Sequence, residues 1–433
     1  RYTIEEGSYS VKNYLSFVGM ENVIPKNVFS FDVDYFVTMP RMEKGYKNEV
    51  QYSKLDYYFN GEKKPEAIAK GRGAQKRVDA KVSWFAFQQQ FFSAIMRAPQ
   101  EFASADFALN YFPEDDESHN LMTGEARMRM DFEPGHSETV VPFEFYFGPN
   151  HFKTLKSYGQ KYEKIIPLGG WLVGWFTRFV IIPLFDFLHR FISNFGIIIL
   201  LMTIFIKIVV LPFAYKSYSS SAKMQAIKPE IDKLNEKYPK QEDALKKQQA
   251  QMDLYKRAGI SPMGGCLPML LQFPILWAMF RFFPASIELR QQSFLWADDL
   301  SAYDSIVSFG TRIPLIGDHL SLFALLMAVS MFFYSKITTA SQPNWRSIGR
   351  HPPIEPGAND PQMASMRFMS VWMMPIMMFF ICNSLSSGLS YYYLLSNLIT
   401  MLETWVIRKW FVNADEIRAK LKATETDSTS EAY

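Results

Sequence analysis

Hydrophobic and polar residues alternate one by one through much of the first 166 positions. Segments 29–37, 126–132 and 141–147 each place an apolar side chain at nearly every second residue, the period of a strand with one buried face. Asn60-Gly61, Gly71-Arg72-Gly73, Pro113-Glu114-Asp115-Asp116 and Glu133-Pro134-Gly135 interrupt the alternation with turn chemistry. Many short strands in so few residues predict a β-sandwich over 1–166. Pro149-Asn150-His151-Phe152-Lys153 then opens a short helical connector.

From Gly169 the period changes to that of a helix. Trp171, Leu172, Trp175, Phe176, Phe179, Leu184, Phe187 and Leu188 are interleaved with a narrow polar set, Arg178, Asp186, His189 and Arg190. Tryptophans beside a narrow charged stripe predict an amphipathic interfacial helix within 167–194; the alternative is a helix packed on the preceding domain. Pro183 predicts a kink in it. Five apolar stretches follow, at 195–213, 266–283, 320–334, 368–384 and 389–405, with only the Ser386-Ser387-Gly388 turn between the last two. The fold class predicted is therefore an α+β membrane protein, with a five-span core over 195–410 behind the β-domain.

Composition alone hides this division. Of the 433 residues, 48% are apolar, yet the mean hydropathy of −0.08 resembles that of a soluble chain because two unlike halves are averaged. A net charge of +3 is too small to argue for nucleic acid. The location of the charges is informative. Lysines from Lys216 to Lys256 crowd the connection after the first span. The next connection carries Asp298, Asp299, Asp304 and Asp318 against Arg290 and Arg312. Arg346, Arg350 and Arg367 follow the third span, and Arg408, Lys409, Arg418, Lys420 and Lys422 follow the fifth. By the positive-inside rule the β-domain is periplasmic and the C-terminus cytoplasmic. The basic connection, 215–260, has helix-forming arms at 219–238 and 241–258 broken at Pro239-Lys240, which predicts a cytoplasmic helical hairpin. The tail at 411–433 is polar and has the composition of a disordered segment. The chain opens at Arg1 without a signal-peptide pattern, so an upstream segment, most simply a signal anchor, is expected to deliver the β-domain.

One charge falls inside an apolar stretch. An ammonium at Lys207 costs about 3 kcal/mol within a span unless it faces protein or water. Snorkelling is the alternative, but the interface marked by Lys216 is roughly 13 Å away, beyond the reach of a lysine. Thr203 shares the face of Lys207 one turn earlier, Gln272 adds an amide in the second span, and Glu403 is a candidate counter-charge. If the first three converge, the helices enclose a wet, positively charged cavity. Met363, Met366, Met369, Met373, Met374, Met377 and Met378 give the fourth span a flexible surface, suited either to varied apolar partners or to ordinary packing.

Enzymatic motifs are missing from the sequence. The six histidines are scattered, with no His-Glu-x-x-His, phosphate-binding glycine loop or nucleophile elbow. No catalytic residue, metal or cofactor is expected, and Cys266 and Cys382 make no disulfide framework. The rival reading is a secondary transporter or channel with a periplasmic ligand-binding domain. Against it, the spans carry no evident inverted repeat and no acidic residue near a span centre.

Several motifs in order carry a resemblance. They are the run from Ser261-Pro262-Met263-Gly264-Gly265-Cys266 through Leu267-Pro268-Met269-Leu270-Leu271-Gln272-Phe273-Pro274-Ile275, then Lys223-Met224, Ser293-Phe294-Leu295-Trp296-Ala297-Asp298-Asp299-Leu300, Met374-Pro375-Ile376-Met377, and Ser387-Gly388-Leu389-Ser390-Tyr391-Tyr392-Tyr393 with Ser396-Asn397. Together they resemble the YidC family of membrane protein insertases. Lys81-Val82-Ser83-Trp84-Phe85-Ala86 and Phe147-Gly148-Pro149 resemble its Gram-negative β-domain.

The resemblance implies an inner-membrane insertase and chaperone, not an enzyme, acting alone or with the Sec translocon. It implies a periplasmic β-supersandwich and a groove open to cytoplasm and lipid but closed towards the periplasm. Groove residues implied are Lys207, Thr203, Gln272, Tyr392 and Tyr393, with Phe273, Ile275 and Met377 as apolar substrate contacts. Lys207 stands where the family usually carries arginine, which keeps the charge but loses the planar fork of donors. Implied partners are nascent membrane proteins, ribosomes or targeting factors at the basic hairpin, Sec translocon components and membrane lipid, with no direct nucleic-acid function.

Overall fold

The computed structural model describes residues 1–20, 22–68, 73–133, 136–227, 230, 233–234, 237–238, 244–257, 267–340 and 368–410. They form two compact units. The first is Arg1–Leu168 with Arg281–Gln292 and Ser301–Tyr303; the second is Gly169–Phe280, Ser293–Leu300 and Asp304–Tyr433.

In the first unit the alternating segments become antiparallel strands in two sheets. One runs, in spatial order, β1 (Tyr2–Ile4), β2 (Ser10–Val18), β11 (Glu138–Pro149), β8 (Phe92–Phe102), β7 (Val82–Gln88), β4 (Lys54–Tyr58) and β5 (Glu66–Ala67). The other runs β3 (Ser30–Pro40), β10 (Asn120–Asp131), β9 (Ser104–Tyr111) and β6 (Ala74–Val78). Phe85 and Phe87 of β7 reach across to the second sheet. Phe85 lies 5.6 Å from Phe107 between ring centroids, and Phe87 stacks on Tyr35 at 6.0 Å. A Cβ on Gly124 of β10 would sit 2.0 Å from the Phe87 ring, so only glycine admits this approach.

Strand β7 is buried at every residue, because its other face is covered as well. There Trp84 donates its Nε1–H to Gln160 O at 2.9 Å, stacks on Tyr58 and meets Tyr162 edge-on. Gln160 and Tyr162 follow α2 (Phe152–Ser157), the helix expected after Pro149. Two features of the unit have no counterpart in the sequence reading. Helix α1 (Tyr46–Tyr52) is inserted between β3 and β4. The segment Arg281–Gln292 folds onto the sandwich, held by Gln90 Nε2 on Pro284 O at 2.8 Å and by an Arg290–Glu43 ion pair at 2.8 Å.

The second unit opens with α3 (Trp171–Phe176), a π-turn at Thr177–Ile181 and α4 (Ile182–His189). Pro183 has no N–H for the carbonyl of Phe179, and the helix widens there. A second π-turn at Met369–Met373 precedes Pro375 for the same reason. Then come α5 (Phe195–Ala226), α6 (Ala244–Arg257), α7 (Leu267–Ala285), the hairpin β12 (Val307–Ile313) and β13 (Gly317–Leu320), α8 (Leu322–Ala340), α9 (Met374–Cys382) and α10 (Ser387–Trp410). Helix α10 packs on both α5 and α8, and α8 packs on α9.

Among the described residues two helices, Trp171–His189 and Phe195–Lys216, are long and apolar enough to cross a membrane; Leu322–Ile337 and Met369–Cys382 are shorter apolar helices. The stretch expected to lie in the interface thus also has the length of a span. Helix α5 continues through Pro212, past the expected end of its apolar stretch. Of the predicted hairpin arms, 219–226 continue α5 and 244–257 form α6, while much of 228–243, with the turn at Pro239-Lys240, lies outside the described residues. So do motif residues 261–266, the arginines at 346, 350 and 367, and the tail 411–433.

Candidate functional site

Helix α10 carries a small hydroxyl at every fourth residue, Ser396, Thr400 and Thr404, and all three are buried. Thr400 Oγ1 donates to Ser396 O and Thr404 Oγ1 to Thr400 O, each at 2.7 Å. Such small polar side chains let neighbouring helices approach closely. Lys207 reaches into this seam from α5 and donates from Nζ to Thr400 Oγ1 at 2.6 Å. The Thr400 proton is already spent on Ser396, so its oxygen is free to accept from the ammonium. Lys207 is only 8% exposed: its charge is held between helices and does not snorkel out.

The other expected residues fall around this contact unevenly. Thr203 is buried one turn before Lys207, but its hydroxyl closes on Ile199 O of its own helix at 2.7 Å. Tyr392 and Tyr393 are buried on α10, their rings 5.7 Å apart and edge to face. Tyr393 lies two turns from Thr400, on the same face of the helix. Gln272 is half-buried on α7 and makes no hydrogen bond to Lys207 or Thr203 among the described residues. Glu403 interacts with Lys207 through space, while the ammonium's hydrogen bond goes to Thr400. Of the apolar candidates, Phe273 is exposed and stacked on Trp277, Met377 is exposed, and Ile275 is buried. Sequence reasoning missed Thr400 and its neighbours. The Ser-x-x-x-Thr-x-x-x-Thr spacing in the last span was the available signal. Asn397 lies in the motif that carries the resemblance but was given no role; its Nδ2 joins α10 to Ser330 Oγ of α8 at 3.0 Å.

A second polar cluster ties the connection before α8 to the turn before α10. Asp304 accepts the Trp296 Nε1–H at 2.9 Å, the Ser321 hydroxyl, and the backbone N–H groups of Leu322 and Phe323, which caps α8. Asn383 accepts the Ser321 N–H and donates to Ile316 O and His319 O. Buried His319 stands between two acceptors, Asp318 Oδ1 and Asn383 O, each 2.8 Å away. The hydrogen bond from His319 holds the Asp318 carboxyl below its ordinary value. Gly388 N–H and the Ser386 hydroxyl both donate to Leu300 O. Read along the sequence, Asp304 and Asp318 are only negative charges. Ser321 directly before an apolar run was the capping signal.

Residues 187–415 match the family model described as 60Kd inner membrane protein, and residues 1–185 match the one described as YidC periplasmic domain. A membrane protein insertase YidC of Bacteroides fragilis is 40% identical over 432 residues, covering 98% of this chain and 67% of the relative. The chain belongs to the YidC family of membrane protein insertases. YidC insertases of Parabacteroides distasonis and Porphyromonas gingivalis are 38% and 34% identical, each over 98% of this chain and over 66% and 67% of their own lengths. The chain therefore spans about two thirds of the length of these YidC relatives. The YidC periplasmic match contains the sandwich, and the YidC inner-membrane match contains the Lys207–Thr400 seam and the Asp304 cluster. Membership favours insertion over the transporter reading.

Proposed function

We propose that this chain inserts newly made proteins into a bacterial inner membrane and helps them fold there. In this reading the sandwich is periplasmic, five helices (α5, α7, α8, the α9 region and α10) cross the bilayer, and the C-terminus is cytoplasmic. Trp171 and Trp175, both exposed, hold the Trp171–His189 helix at headgroup level. The observation that carries the reading is Lys207, a cation inside an apolar helix, hydrogen-bonded to a second helix with further hydroxyls beside it.

A polar seam of this kind shortens the path through hydrocarbon for the short hydrophilic segment that a substrate must translocate. The ammonium attracts acidic residues in that segment, and the hydroxyls of α10 substitute for part of its hydration. Meanwhile the arriving apolar helix moves sideways into lipid past the exposed Phe273 and Met377. Burial of about twenty apolar residues supplies the driving force, so no nucleotide, metal or cofactor is needed. Nascent membrane proteins are the substrates. The basic connection between α5 and α7 suits ribosomes or targeting factors, and Sec translocon components are the expected neighbours within the membrane.

Photo-crosslinking residues at Phe273 and Met377, challenged with ribosomes stalled on a single-span nascent chain, test this reading. Adducts should form at both positions. Lys207→Glu should slow insertion about tenfold for substrates with acidic leading segments, while Lys207→Arg retains it. Absence of adducts at both positions in a folded, membrane-integrated protein would sink the insertase mechanism. Adducts insensitive to Lys207→Glu would transfer the work from the charge to the hydroxyls.

A further inference from the structure

The β12–β13 hairpin turns Val307, Phe309 and Ile313 of its first strand outward. All seven residues of β12 are exposed, while in β13 His319 is buried at the base of the ribbon. Val307 is 44% exposed and Leu315, at the tip, is 80% exposed. A two-stranded ribbon is marginally stable by itself, and one that exposes apolar side chains is poorly served by water.

The pairing explains how these side chains are presented. Val307 faces Leu320 and Ser308 faces His319, but the ladder resumes only at Ile313 opposite Gly317. The unequal count makes β12 bulge, which lifts the Phe309–Arg312 stretch off its partner. Leu315 adopts φ +73, a conformation rare for a leucine, and this holds its side chain at the tip.

The base of the hairpin is fixed. His319 and Ser321 are bound to Asn383, Ser321 also to Asp304, and α8 begins at Leu322, two residues after β13 ends. Along α8 the exposed Leu325, Val329 and Phe333 fall at intervals of four, one continuous outward apolar stripe. The inference rests on the reading above that α8 spans the membrane. On that reading the stripe is in lipid, and the hairpin emerges at the bilayer surface as its continuation. We propose that the β12–β13 hairpin is a lipid-binding element, with Phe309, Ile313 and Leu315 seated at the boundary of headgroups and acyl chains. An interfacial element of this kind sinks roughly 5–10 Å below the headgroups.

The test uses the full chain in phosphatidylcholine–phosphatidylglycerol vesicles, with Cys266→Ser and Cys382→Ala as background. Phe309→Cys and Leu315→Cys each carry an environment-sensitive fluorophore. Val209→Cys on α5 is the membrane reference and Lys63→Cys on the sandwich the aqueous one. Labels at 309 and 315 should emit to the blue of the label at 63, resist iodide, and lose about half their intensity to lipids spin-labelled near the headgroup. Emission like that at 63, with the label at 209 still quenched by lipid, overturns the proposal and leaves the spanning reading intact. A blue shift without lipid quenching also overturns it, because the cover is then protein. A label at 209 that behaves as aqueous removes the spanning reading, and the hairpin proposal goes with it.

Discussion

The sandwich leaves charges outside and packs rings within, whereas the helical unit leaves apolar side chains outside and encloses hydroxyls and a cation beside its apolar core. In the sandwich the large side chains withdrawn from solvent are aromatic, Trp84, Phe85, Phe87, Phe102 and Phe107 among them, while open strand positions pair charges such as Arg127 with Asp34 and Arg129 with Asp32. In the helical unit Ile204, Ile208, Val209 and Leu211 of α5 point outward, and Thr203, Lys207, Ser390, Ser396, Thr400 and Thr404 are inside. Water drives the first arrangement, because every apolar area removed from it is a gain. Lipid offers an apolar side chain no such gain, so helices there are joined by close approach and hydrogen bonds. On the proposed reading, in which the helices span the bilayer, the same twenty residue types are sorted by two different solvents.

The largest effect this difference predicts is in the sandwich. Phe87→Ala should destabilise that unit by about 3–5 kcal/mol, since a fully buried ring leaves a cavity that the Gly124 backbone cannot fill. Hydrogen exchange on the full-length protein should show β7 and β9 amides losing protection while those of α5 and α10 keep theirs. Equal loss in both units would mean that they do not have separate cores.

Next is the polar counterpart. Asp304→Ala strips Trp296, Ser321, Leu322 and Phe323 of one shared acceptor, and should cost about 2–3 kcal/mol, read as lowered heat stability in detergent. Val209→Ala, an outward apolar truncation on α5, should cost far less. If the Val209 change proved the more damaging of the two, the inverted sorting of the helical unit would be wrong.

A smaller difference concerns two glycines that meet phenylalanine rings. A Cβ at Gly124 would lie 2.0 Å from Phe87, and one at Gly196 would lie 2.1 Å from Phe294. Phe87 is fully buried, so Gly124→Ala should cost about 1–3 kcal/mol by overpacking. Phe294 is only half-buried in a connection and can swing aside, so Gly196→Ala should shift the melting temperature less. The reverse order would place the more rigid packing in the helical unit.

How much of this was legible in the sequence follows from the same sorting. Strands β3, β10 and β11 were readable because each has one face in water and one in the core, which writes a period of two into the residues. Strand β7 has both faces covered, and its register shows only in the rings of Phe85 and Phe87 on one side and Trp84 on the other. Lys207 stood out because a charge in an apolar run is conspicuous. Thr400 did not, because a threonine that satisfies itself on its own helix is marked only by its four-residue spacing with Ser396 and Thr404, which names no partner. Helix α1 and the docking of Arg281–Gln292 were out of reach, since both depend on residues far apart in the chain, as in the Arg290–Glu43 pair.

The smallest predicted effect tests a buried carboxyl in the sandwich, where charge is otherwise paired at the open strand positions. Glu49 on α1 is fully buried; its Oε1 accepts the Met42 N–H at 2.9 Å, and its Oε2 meets no donor among the described residues. Burial raises its carboxyl above the ordinary 4.5, against the pull of the backbone N–H groups of Met42 and Glu43. A carboxyl raised in the folded state binds its proton more tightly there than in the unfolded chain. Its contribution to stability is therefore complete below the unfolded value and is lost as the pH rises through the folded one. Glu49→Gln makes the neutral form permanent and keeps an oxygen for Met42. The variant should match the wild type near about pH 4, exceed it slightly at about pH 7, and show a flatter pH dependence between them. Unfolding curves that stay parallel across that range would mean the carboxyl titrates alike in both states. The sandwich would then tolerate a buried charge at Glu49 much as the helices tolerate Lys207, and the contrast between the two units would narrow to their apolar side chains.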